Sequence, residues 1–211
     1  MKKIELAMLI GMIIAVFSTG MCSFAEEYED ITDTVFRLHI LANSDSDEDQ
    51  QLKLKVRDAV LEECSYLFEN CKNAEESASV AEENMDFINS VAQRTVDESG
   101  KDYSVKCEVA EMHFDTRIYE SVTMPAGDYS ALRITIGEAE GKNWWCVMFP
   151  PLCIPVATGE LEDYDGVFTA EEIEMLNNPE NYECKFYILE LLDKLEKYLS
   201  DEIGECANEN L

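Results

Sequence analysis

Gly137 to Cys153 reads GEAEGKNWWCVMFPPLC. Gly141-Lys142-Asn143 turns the chain, and Trp144 to Phe149 follows as a strand. Pro150-Pro151 ends that strand, because proline has no N–H to give to a ladder. The run holds both tryptophans of the chain and two of its eight cysteines. On a strand, Trp144 and Trp145 point to opposite faces, so one enters the core. The other is either exposed, as interface anchors often are, or covered by a second core layer.

Working outward, Leu132, Ile134 and Ile136 alternate with Ala131, Arg133 and Thr135 in a strand that follows the turn Met124-Pro125-Ala126-Gly127. Tyr103 to Phe114 alternates in the same way. Val35 to Leu41 sets Phe36, Leu38 and Ile40 on one face and Val35, Arg37 and His39 on the other. Ser46 with Asp47, Glu48 and Asp49 behind it has the form of a helix cap with acids in the first turn. Leu52, Val56, Val60, Cys64 and Leu67 recur at helical spacing and predict one helix to about Asn70. A second runs from about Ala74, with Ala81, Met85, Ile88 and Ala92 as its apolar stripe, to Ser99-Gly100, where glycine suits a left-handed cap. Beyond a polar loop at 157–166, a short helix spans Thr169 to Met175 and a longer one Glu183 to Leu199. This order predicts a single α+β domain over residues 35–203, with helices packed on one face of a small antiparallel sheet. A linker at 26–34 precedes it and a disordered tail at 204–211 follows.

The start has the pattern of an export signal: Lys2 and Lys3, an apolar Leu6 to Phe17, then Ser23-Phe24-Ala25. Cleavage is expected between Ala25 and Glu26. The alternative is an uncleaved anchor, since Leu6 to Ala25 carries no charge and is roughly long enough to cross a bilayer. Export with eight cysteines raises disulfides. Cys64 and Cys71, on one expected helix, lie about 10 Å apart and cannot bond each other. Cys146 and Cys153 flank Pro150-Pro151, which is able to fold back and bridge them.

With 45 acidic and 16 basic residues the net charge is −29. Such a surface repels nucleic acid and anionic membrane. Arg37, Lys53, Lys55 and Arg57 form a local cationic exception, a contact surface for an acidic partner or a neutraliser of nearby acids. His39 and His113 are the only histidines. Zinc needs close ligand pairs, and none is present, so neither metal nor cofactor is expected. A cysteine hydrolase would need Cys146 as thiolate, His113 as base and Asn143 as orienter. Cys146 instead falls inside an apolar strand, so no catalytic residue is assigned. Asn43 to Asp49 is rich in oxygens but lacks the glycine and terminal glutamate of a calcium loop.

Two blocks carry a resemblance. Phe36 to Val60, FRLHILANSDSDEDQQLKLKVRDAV, and Pro125 to Cys153, PAGDYSALRITIGEAEGKNWWCVMFPPLC, look like the stage II sporulation protein R family of endospore formers. The likeness runs from Val35 to Cys153 and fades beyond. The family tends to have glycine where Ala139 stands. The resemblance implies a protein made in the forespore and exported into the space between forespore and mother-cell membranes. There it would activate a membrane-embedded aspartic protease of the mother cell, which matures a sigma-factor precursor. On that account the protein is a secreted signalling ligand and no enzyme. The candidate partner-binding residues, chosen from the two blocks, are Arg37, His39, Asn43, Asp45, Lys55, Arg57, Asn143, Trp144 and Trp145. The competing classes are an exported cysteine-dependent hydrolase and a structural protein of the septal space.

Overall fold

A computed structural model describes residues 28–119, 122–150 and 167–178 continuously, with single positions within 7–25 and 181–191. The chain divides into two compact units. Ile31–Asp115 and Gly127–Thr169 make the larger; Met1–Asp30, Thr116–Ala126 and Ala170–Leu211 make the other.

The larger unit contains β1 (Phe36–Leu41), α1 (Asp47–Cys64), a 3-10 turn (Ser65–Phe68), α2 (Ala74–Glu83), α3 (Met85–Glu98), β2 (Val105–Phe114), β5 (Gly127–Ile136) and β6 (Asn143–Phe149). Its four strands lie in the order β2-β5-β1-β6. The α+β class is as expected, with one correction to the sheet. β1 runs parallel to β5, with Leu38 beside Leu132, and antiparallel to β6, with Leu38 beside Cys146. The sheet is therefore mixed. Alternation in a sequence fixes which face a residue takes; it carries no information on which strand lies alongside.

One face is apolar for a plain reason. Phe36, Leu38 and Ile40 of β1 join Leu132, Ile134 and Ile136 of β5 and Cys146 and Met148 of β6 against Leu52, Val56 and Val60 of α1 and Ile88, Val91, Ala92 and Val96 of α3. Each such side chain contributes about 1.5–3 kcal/mol by leaving water. α1 starts where expected: Ser46 is extended, and its hydroxyl accepts from Asp49 N–H at 3.2 Å. It ends early, at Cys64. The tighter turn that follows carries Phe68 inward, 6.0 Å from the Phe36 ring. The second expected helix breaks at Asn84, whose backbone leaves the helical region while its amide donates to Val80 O at 2.8 Å. Gly100 takes the left-handed cap, φ +73°.

In the other unit β3 (Arg117–Tyr119) pairs antiparallel with β4 (Val122–Met124), and α4 (Ala170–Asn177) packs on β4. The hairpin was not expected, because three-residue strands are too short to show a period of two. Phe24 is buried there and stacks on Tyr182, ring centroids 5.8 Å apart. Cleavage after Ala25 would remove that contact. The expected loop at 157–166 and tail at 204–211 lie outside the described residues, as does most of the expected Glu183–Leu199 helix and of the signal segment. No helix among the described residues is long and apolar enough to cross a membrane.

Candidate functional site

The two blocks that carry the resemblance meet at the end of β1. Asn43 donates to Asp49 Oδ2 at 2.9 Å and accepts Glu138 N–H at 3.0 Å. Asp45 accepts Lys142 N–H at 2.7 Å, and Ser44 Oγ donates to Asp49 at 2.6 Å. The backbone joins in, with Gly141 N–H on Ala42 O at 2.9 Å and Glu140 N–H on Asn43 O at 3.2 Å. From α1, buried Lys53 reaches Lys142 O at 2.8 Å. Hydrogen bonds from Asn43 and Ser44 hold the Asp49 carboxyl below its ordinary value. The oxygen-rich Asn43 to Asp49 run thus caps a helix and clasps the 137–142 loop in one structure. Asn43 has both side-chain polar atoms engaged within the chain, while Asp45 uses Oδ1 and is exposed.

Ala139, in that loop, has φ +56°. A side chain there costs about 1–2 kcal/mol, part of which glycine would return as greater freedom of the unfolded chain. Ala139→Gly is expected to stabilise by about 0.5–1 kcal/mol and raise Tm by about 2–3 °C. A thermal melt in which the glycine variant unfolds earlier would contradict the left-handed backbone.

On the sheet face away from the helices, Arg37, His39, Ala131, Arg133, Trp145 and Val147 share register rows. Arg37 is wholly buried, its guanidinium carbon 4.2 Å from the Phe114 ring centre and 4.8 Å from that of Tyr129. His39, 3% exposed, stacks flat on Trp145 at 4.0 Å, and among the described residues neither ring nitrogen has a hydrogen-bond partner. Burial pushes the His39 imidazole below its ordinary value; Asn143 nearby, outside hydrogen-bonding geometry, opposes this and Arg133 adds to it. On the helix side of the sheet Trp144 lies under Arg57, whose guanidinium carbon is 4.3 Å from the ring centre. The two tryptophans do take opposite faces, and both are half-buried.

Of the nine partner-binding candidates, Arg37, His39, Asn143 and Trp145 share one face, Arg57 and Trp144 make a pair on the other, and Asn43 and Asp45 form the clasp. Lys55, exposed on α1, joins none of these. Sequence reasoning missed Phe114 and Tyr129, whose strands were read correctly but whose convergence on Arg37 needs the strand order. It read Gly141 only as part of a turn and missed the close approach at Gly137 and Gly141, where a Cβ would stand 2.2 Å from Asn43 Oδ1 and 2.3 Å from Ser44 O.

A cysteine dyad is not assembled. Cys146 is disulfide-bonded and has no thiol to ionise. Its expected partner, Cys153, lies outside the described residues. Cys146 pairs with Leu38, and His113 sits with Asp128 on the far strand, so the two are on the order of 20 Å apart. Burial pushes the thiols of Cys64 and Cys107 up, to about 11 and about 12, so they stay protonated and unreactive. Among the described residues no group of acids, histidines and cysteines is placed to hold a metal ion.

The family model of stage II sporulation protein R matches residues 32–158, the span that contains the clasp and the whole four-stranded sheet. The chain belongs to the stage II sporulation protein R family. It is 42% identical over 123 residues to Stage II sporulation protein R of Bacillus subtilis (strain 168). That match covers 58% of this chain and 55% of the relative, so the chain spans about half the length of the curated protein it matches. No solved structure matches it.

Proposed function

We propose that this sporulation protein is an exported signal, made in the forespore, that acts between the two membranes and activates a membrane-embedded aspartic protease of the mother cell. The protease then matures its sigma-factor precursor. The observation that carries this reading is membership of the family over residues 32–158, both sequence blocks included. Activation by a ligand needs only a difference in its affinity for the inactive and active states of the receptor. A rigid face suits that role. The clasp ties the 137–142 loop to β1 and α1 through Asn43, Asp45 and Lys53, and a loop braced in this way loses less entropy on binding than a loose one. The hydrolase alternative has nothing to support it at Cys146 and His113.

The test is co-expression, in a non-sporulating host, of the exported chain with the matching protease and precursor. Cleavage of the precursor is expected with the exported form and is expected to vanish when residues 1–25 are deleted. Export and folding without cleavage would sink the activator reading and move weight to a structural role in the septal space.

A further inference from the structure

β2 is an edge strand of ten residues, and its pairing with β5 runs from Val105–Ile136 to Phe114–Gly127 without a register shift. Among the described residues no strand pairs with its outer side. Sheet edges in monomeric proteins are ordinarily blunted by shortness, bulges, proline or charge, because an open row of N–H and C=O groups templates another strand. β2 has neither proline nor bulge and is longer than the usual five or six residues.

The alternation of the ladder says which groups are open. Ser104 O accepts from Gly137 N–H at 2.9 Å and Lys106 O from the Thr135 hydroxyl at 3.3 Å, so the even-numbered residues face β5. The odd-numbered ones turn outward. Val105 N–H confirms this by donating to Gln93 Oε1 of α3 at 2.8 Å. Cys107, Val109, Glu111 and His113 then present an outward row.

The charge on the strand is largely paired: Glu108 with exposed Lys106 and with Arg133, and exposed His113 with Asp128, while Glu111 is a further exposed acid. Half-buried Cys107 and Val109 on the helix side, and Ala110 and Met112 on the other, would lie beside the side chains of an added strand.

We infer that the outer edge of β2 is a docking site that takes an extended segment of another protein, with apolar and basic residues alternating along it. A second copy is disfavoured, since 45 acidic against 16 basic residues make the chain repel itself. The same excess, with Glu111 on the strand, draws a basic segment. This inference rests on the activator reading, in which that segment belongs to the part of the protease outside the membrane. Main-chain hydrogen bonds would supply affinity, and the alternate side chains specificity.

The probe is a short synthetic peptide of alternating valine and lysine, with a valine–glutamate peptide as control. Amide hydrogen exchange on the intact exported chain is the readout. The valine–lysine peptide is expected to slow exchange at Cys107, Val109, Glu111 and His113 on the order of tenfold. Glu111→Pro, which removes one outward N–H, and Val109→Lys, which adds a repelling charge and leaves the ladder intact, are expected to abolish the effect. Equal protection by the glutamate peptide, or none by either, overturns the proposal. So does protection that grows with protein concentration alone, which would mean self-pairing. In the co-expression host, loss of cleavage by Val109→Lys at wild-type export supports the edge as the receptor contact, and full cleavage overturns it. If the wild-type chain gives no cleavage, the activator reading fails while the exchange result still judges the edge.

Discussion

Gly141→Ala is expected to destabilise the chain by about 3 kcal/mol, a large part of the 5–15 kcal/mol a domain of this kind holds. The added Cβ would stand 2.3 Å from Ser44 O and 2.6 Å from Ser44 C, both backbone atoms, and 3.0 Å from Ala42 Cβ. A flexible side chain swings aside; a peptide group fixed between β1 and a capped helix does not. The 137–142 loop would therefore withdraw. Its withdrawal would break Gly141 N–H on Ala42 O, Glu140 N–H on Asn43 O and Lys142 N–H on Asp45. At about 1 kcal/mol for each hydrogen bond, these losses account for the size of the effect. Urea unfolding is the measurement, with a midpoint lower by about 1–2 M. An unchanged midpoint would mean that the loop is not docked against the Asn43 turn in solution.

The clasp also shows how far a sequence can be read. Ser46 as a helix cap was legible, because its partner Asp49 is three residues away and the pattern is local. The other half of the same turn was not. Asn43 meets Glu138 across 95 positions and Asp45 meets Lys142 across 97, and no spacing rule reaches so far. The facing of β1 and β6 was legible, tryptophans included, since a period of two is a property of the strand itself. The parallel placement of β1 against β5 was not, because neighbours are chosen by the whole sheet. The same reason hid the environment of Arg37. Alternation put it opposite Phe36 and Leu38, where a charged residue reads as a surface contact. Only the strand order brings Phe114 from β2 and Tyr129 from β5 over it. His39 shared that fate: chosen from the sequence as a partner contact, it is buried against Trp145.

Arg37 is thus expected to act through the fold, and two substitutions separate that role from direct contact with a partner. Arg37→Ala removes a wholly buried side chain and its stacking on two rings, and is expected to destabilise by about 3 kcal/mol. Arg37→Met keeps most of the volume and loses the cation, so about half that effect is expected. In the co-expression assay, precursor cleavage should then follow the amount of folded, exported chain: nearly full for Arg37→Met and low for Arg37→Ala. A side chain at 0% exposure has no surface to offer a receptor unless the face opens. If Arg37→Met folded and exported normally yet gave no cleavage, the guanidinium itself would be the recognised group. The sheet face would then have to open on binding, and the rigid-face argument for activation would fail.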